Sequence, residues 1–223
     1  MSRFRSQLRL LSTTVLFLTL AAAAQAKPRV VTIAQARTLP LGTLVTVSGS
    51  VSTPSGVFNS SFFDQGFGLQ DDDKAGIFIS LQTDLHVAPR AQARVTGILK
   101  DASGLLVIAP AKTSDVEIHH GGPTVASRWV DTSTVGEITE GRIVRVVGII
   151  SQAVTSDLPF GYKFQVDDGS GPVQIFVNTG TGIDTTKLKF GQLISVTGFS
   201  SQFETHYEID PRGPNDLDVP WTP

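Results

Sequence analysis

The sequence predicts an all-β protein made of two tandem five-stranded barrels, and three observations predict it. First, the chain repeats itself: residues 41–52 return as residues 140–151, offset by 99 positions, with Gly42, Val45, Val47 and Gly49 met by Gly141, Val144, Val146 and Gly148. Second, each copy of about a hundred residues holds about five apolar or β-branched runs separated by Asp, Gly and Pro, with little room for helix. Third, glycines fall inside these runs at matching places, Gly49 with Gly148 and Gly97 with Gly198. A glycine in mid-strand marks a bulge or sharp bend, and a long bent first strand is how a small sheet closes on itself. A repeat of this length suits a whole small domain and is too long for a solenoid unit.

Residues 1–26 read as a signal peptide. Arg3, Arg5 and Arg9 form a basic leader, an apolar run follows from Leu10, and Ala24-Gln25-Ala26 offers small residues at a cleavage site. The run is shorter than the roughly 20 residues a bilayer span needs. The expected location is the periplasm or the medium. The remaining chain divides into residues 27–120 and residues 121–223. The first has eight basic and eight acidic residues, and the second has seven basic and twelve acidic. The mature chain is therefore net negative, which excludes broad electrostatic attraction to phosphate. Cysteine is absent, so disulfides, thiolate metal sites and thiol catalysis are excluded.

Along the first copy, Thr32 to Arg37 predicts a short helical turn with Thr32 as its N-cap, with residues 133–138 as its counterpart. Leu44, Val45, Val47 and Val51 predict the first strand. The Phe-rich loop Val57-Phe58-Asn59-Ser60-Ser61-Phe62-Phe63 follows and reads as a folded-down lid rather than a contact surface. Phe67 and Leu69 then alternate as core positions, as do Ile77 and Ile79, and they return as Phe164, Val166, Ile175 and Val177. Ala93, Val95 and Ile98 predict the fourth strand and residues 105–108 the fifth. Asp71-Asp72-Asp73 and Asp167-Asp168-Gly169 lie at hairpins between the second and third strands. Turn chemistry explains them better than calcium does, because their spacing fits no calcium loop. His119-His120-Gly121-Gly122-Pro123 reads as a polar linker.

The order Gly-x-x-Val-x-Val-x-Gly-x-Val, Phe-x-Leu-x-Asp, Gly-Ile-x-Ile and Val-x-Gly, found over about residues 30–118 and echoed over 130–219, resembles the bacterial secreted OB-fold domain. Such domains occur alone, in tandem or beside extracellular nucleases. The resemblance implies Greek-key barrels that bind ligands across the face of the second and third strands, flanked by two loops.

On that face, alternation points Phe78 and Phe176 outward. Two readings stand: base-stacking platforms, or cover over an apolar patch against the partner barrel. Gln70, Lys163 and Gln165 are expected beside them. A nucleic-acid ligand would also need a basic groove, for which Lys74, Arg90 and Arg94, with Lys100, are the candidates. The neutral first copy is then the expected polyanion binder. No nucleophile–His–Asp set, paired-carboxylate site or phosphate loop is present in the sequence, so an enzyme, a metal and a cofactor are not expected. The reading is an exported binding protein. Single-stranded nucleic acid is its first ligand, and an envelope protein partner or an oligosaccharide is the alternative.

Overall fold

In the computed structural model, which describes residues 28–72 and 74–219, the first copy runs β1 (Arg29–Val30), α1 (Ile33–Ala36), β2 (Leu44–Val51), β3 (Phe67–Gln70), β4 (Gly76–Ile79), β5 (Ala91–Ala102), β6 (Leu105–Ala109) and β7 (Val116–His120). The second runs β8 (Arg128–Trp129), β9 (Ile143–Asp157), β10 (Gly161–Asp167), β11 (Val173–Asn178), β12 (Leu193–Phe203), β13 (His206–Asp210) and β14 (Leu217–Asp218). The expected leader lies outside the described residues.

Each copy closes into the same barrel. The first has the order β2-β3-β4-β6-β5, with β5 returning to β2, and the second has β9-β10-β11-β13-β12, with β12 returning to β9. Third and fifth barrel strands pair in parallel in both copies (β4 with β6, β11 with β13), and the other barrel pairings are antiparallel. This connectivity is that of the OB fold. Both barrels also carry short flanking strands, β1 and β7 on one and β8 and β14 on the other. Apart from β7 they are two residues long, too short for a periodic signal. Because β7 runs through His120, the two histidines expected in a linker stand on an edge strand.

Interior positions of the first barrel are filled by Val45, Val47, Phe67, Leu69, Ile77, Ile79, Val95 and Leu99; Val144, Val146, Phe164, Val166, Ile175, Val177, Ile194 and Val196 fill the second. A Cβ on Gly49 would stand 2.6 Å from the Gln70 carbonyl oxygen, and one on Gly148 2.6 Å from that of Asp167. The first strand of each barrel therefore crosses its neighbour at contact distance, where only glycine leaves room. The Asp-rich turns serve as anchors. Asp71 accepts from the Ile33 N–H (2.8 Å) and the Ala75 N–H (3.0 Å), while Asp168 accepts from the Thr132 N–H (3.0 Å) and hydroxyl (2.8 Å). Thr32 caps α1 in a reciprocal capping box with Gln35. The counterpart helix is a single 3₁₀ turn, Thr132–Thr134.

The two barrels share a tight seam. Phe58, Phe78, Leu105 and Val107 of the first form one buried cluster with Ile143 and Phe199 of the second. The rings of Phe58, Phe78 and Phe199 lie 5.7–6.3 Å apart. Beside the cluster, Arg37 bridges Glu140 (3.0 Å) and Glu137 (2.8 Å). The Leu106 N–H donates to Glu140 (3.3 Å), and Arg212 donates to the Ser52 carbonyl (3.1 Å). Burial pushes the Glu140 carboxyl up, opposed by the Arg37 charge. Gly76 faces Gly141 backbone to backbone across the seam, with no room for a Cβ on either.

Candidate ligand-binding face

The seam decides which OB face is open. Phe78 points out of its own barrel, as alternation requires, yet it is 1% exposed because Phe58 and Phe199 cover it. It is therefore no stacking platform, and its assignment to ligand binding is corrected: the ring is part of the docking surface between barrels. Gln70 is corrected with it, since its side-chain oxygen accepts from the Ile143 N–H (3.2 Å) across the seam. The basic groove expected in the first barrel does not form around Phe78. Lys74 and Arg90 are exposed at positive-φ turn positions. Arg94 lines a separate cleft of about 780 Å³ with Ser48, Ser50, Gln92, Asp72 and His119. The first copy's strand face is thus closed to ligand, contrary to its expected role as the polyanion binder.

The equivalent face of the second barrel is open. On β10, Phe164 and Val166 point into the core, so Lys163 and Gln165 point out. On β11, Ile175 and Val177 point in, so Gln174 and Phe176 point out. Register sets Lys163 opposite Phe176 and Gln165 opposite Gln174. Phe176 is half-buried because its ring leans over Gly161, where a Cβ would meet ring carbons at 3.1 Å. Lys163 pairs with Asp157 at 3.5 Å.

Two loops build the rim. The loop of residues 52–66 is held down by Asp64, which is fully buried and accepts from the Ser60 N–H (3.0 Å), the Ser60 hydroxyl (2.7 Å) and the Ser80 hydroxyl (2.5 Å). Only part of the expected lid is folded down. Phe58 enters the seam, while Phe62 and Phe63 remain exposed. Phe63 meets exposed Phe160, from the β9–β10 turn, at 6.2 Å between ring centroids. The same loop reaches the end of β11, where the Val57 carbonyl oxygen would lie 3.0 Å from a Cβ on Gly180. The first barrel thus adds an aromatic edge to the second barrel's face.

At the other border, Tyr207 and Ile209 pack into the core, which leaves Glu208 and Asp210 on the outer side of β13. Both are buried. Glu208 accepts from Gln174 (2.6 Å). Burial pushes Glu208 up to about 7, and burial together with the Glu208 charge pushes Asp210 well above the carboxylate range. This pair was missed in the sequence. Its signal is a difference between copies, since the matching positions in the first barrel are Val107 and Ala109.

Among the described residues no group of three His, Cys, Asp or Glu is placed to hold a metal, and no helix is long and apolar enough to cross a membrane. No protein-family model matches the sequence, and no curated protein matches it. Solved structures similar in fold include a murine DNA binding protein bound with double-stranded DNA, at 14% identity and a TM-score of 0.40, covering 80% of this chain and 97% of that one. The p204 HINb domain is similar at 14% identity and a TM-score of 0.35, over 76% of this chain and 91% of that one. A replication protein A heterotrimer bound to single-stranded DNA matches at 14% identity and a TM-score of 0.29, over 36% of this chain and 58% of that one. The OB assignment rests on the strand order and registers above.

Proposed function

We propose that the protein is an exported, non-catalytic binding protein that takes short single-stranded nucleic acid across the β10–β11 face of its second barrel. The observation that carries this reading is Phe176. It is an outward aromatic at the centre of the one open OB strand face, with Phe160 and Phe63 at its rim. Bases stack on such rings irrespective of sequence, each stack contributing roughly 1–3 kcal/mol. Export is inferred from the basic–apolar leader. Lys163 is the one cation on the outward positions of β10 and β11, so this face by itself neutralises about one phosphate.

The test is fluorescence anisotropy of the mature protein with labelled oligothymidylate across a salt series. Binding at low salt is expected, with Phe176→Ala weakening it roughly 5- to 150-fold, the equivalent of one stack. No binding at low salt, or binding indifferent to Phe176→Ala, overturns the proposal. A second reading, a neutral oligosaccharide, is favoured by the amides Gln152, Gln165 and Gln174, which register across β9, β10 and β11 and suit sugar hydroxyls. Calorimetric titration with neutral oligosaccharides gives heat only under that reading.

A further inference from the structure

The outer face of β2, β5 and β7 in the first barrel carries a polar set that the function proposed above does not use. Register fixes its layout. Val47, Val51, Ala93, Val95 and Val116 belong to the core, so Ser48 and Ser50 on β2, Gln92 and Arg94 on β5 and His119 on β7 point out. Two rows cross the three strands, Ser50–Gln92–His119 and Ser48–Arg94–Glu117. All of these except Glu117 line one cleft of about 780 Å³, walled by residues 30–32 and by the turn at Asp71 and Asp72. That volume falls in the range of pockets that hold small ligands.

The polar groups on this floor are unengaged. Thr46 and Thr96, one row further along, bond each other at 2.8 Å. Among the described residues, no hydrogen bond engages the side chains of Ser48, Ser50, Gln92, Arg94 or His119. Ser50 is only 8% exposed, yet it lines the cleft and its hydroxyl has no partner in the protein. Arg94 stands opposite Glu117 but has no carboxylate within 4.0 Å among the described residues. Gln92 is backed by Gly122, where a Cβ would lie 2.7 Å from the Gln92 Cγ. The second copy has no such set: Val147, Ile149, Leu193 and Ser195 stand where the first has Ser48, Ser50, Gln92 and Arg94.

We infer that this cleft binds a sugar acid, a polyhydroxylated molecule bearing one carboxylate. The planar guanidinium of Arg94 suits a carboxylate, which it can meet with two parallel hydrogen bonds. Ser48, Ser50, Gln92 and His119 offer donors and acceptors for hydroxyls. Among the described residues Arg94 is the one permanent cation of the lining, and exposed Asp72 at the rim repels a second negative charge. A polyphosphate is therefore disfavoured. Apart from the His119 imidazole no aromatic ring lines the cleft, which leaves a nucleobase nothing to stack on. The site lies on the other barrel from the β10–β11 face and takes a different ligand, so it does not rest on that reading.

The experiment is calorimetric titration of the mature protein with D-glucuronate, with D-glucose as the same ring without the carboxylate. Saturable heat is expected from the acid and none from glucose. Arg94→Gln, at an exposed position, should weaken binding roughly 10- to 150-fold, the loss of a hydrogen bond between charged groups. Ser50→Ala should weaken it roughly 2- to 12-fold, the loss of a neutral one. Phe176→Ala should leave the heat in place, so failure of this site and failure of the β10–β11 face give different results. A galacturonate trimer separates the two sources of such a group. Binding at least as tight as the monomer's points to the end of an acidic polysaccharide, and weaker binding to the free acid. Absence of saturable heat from both monomer and trimer overturns the proposal. So does glucose binding as well as the acid, or binding that Arg94→Gln leaves unchanged or Phe176→Ala abolishes.

Discussion

Single side chains act here through what stands opposite them. Phe78 and Phe176 occupy the same place on the same strand of two copies, and one is a seam residue while the other faces a ligand surface. Gly76 and Gly141 show the same dependence at its extreme. A Cβ on Gly76 would lie 1.9 Å from the Gly141 carbonyl oxygen and 2.2 Å from its carbon. Both are backbone atoms with no rotamer to yield. Gly76→Ala must therefore push the barrels apart, at about 1–3 kcal/mol by the usual cost of overpacking. Urea denaturation should show a lowered midpoint, and an unchanged midpoint would mean that the seam is looser than described. The alternation that turned Phe78 outward was legible in the sequence. What covers it was not, because Phe199 lies 121 positions away and no local pattern joins the two.

Among the elements, the loop of residues 52–66 does the most with the least regular structure. The three hydrogen bonds that the Asp64 carboxylate accepts, two from Ser60 within the loop and one from Ser80 just past β4, fix where Phe58 enters the seam and where Phe63 meets Phe160. Asp64→Ala removes a buried acceptor and leaves the Ser60 and Ser80 hydroxyls without it, at about 2–3 kcal/mol. The expected result is rapid proteolytic nicking within residues 52–66 while the barrels stay intact. A loop as resistant as in the parent protein would show that Asp64 is not its anchor. The barrel strands, the N-cap at Thr32 and the Asp turns were readable, because alternation, a cap and a turn are each set by neighbours within a few residues; that Asp71 and Asp168 reach back to Ile33 and Thr132 was not. The face formed by β10 and β11 was readable in part: Lys163, Gln165 and Phe176 stand together as expected. Lys74, Arg90 and Arg94 were grouped by charge alone, and charge does not specify direction.

For the whole molecule, the buried carboxylates set how stability follows pH. Glu208 and Asp210 hold their protons more tightly folded than unfolded, so the folded state binds more protons between about pH 4 and 7. Their contribution is fully present below their unfolded pKa and is lost as pH rises. For Glu208, raised from 4.5 to about 7, the loss is about 3 kcal/mol. Asp168 works the other way. The Ser170 and Thr132 hydrogen bonds hold it well below the carboxylate range, so its contribution fades as pH falls below about 4. Thermal unfolding should therefore show the highest Tm near pH 4–5 and a decline toward neutrality, and Glu208→Gln should flatten that decline. A Tm that rises steadily to pH 7.5 would contradict the burial of the pair. The duplication was plain in the sequence, but the division of labour between copies was not, since it follows from docking one barrel's strand face against the other.

That docking also gives the chain a direction in time. A ribosome releases the first barrel before the second exists, and Phe58, Phe78, Leu105 and Val107 stay uncovered until Phe199 is made. At typical synthesis rates of 5–20 residues per second the interval from the end of β7 is roughly 4–16 s. Throughout it, a finished barrel presents an oily face to its surroundings. The nascent chain's most vulnerable moment thus comes after its first domain has folded, and a holding chaperone would find its handle on those four side chains.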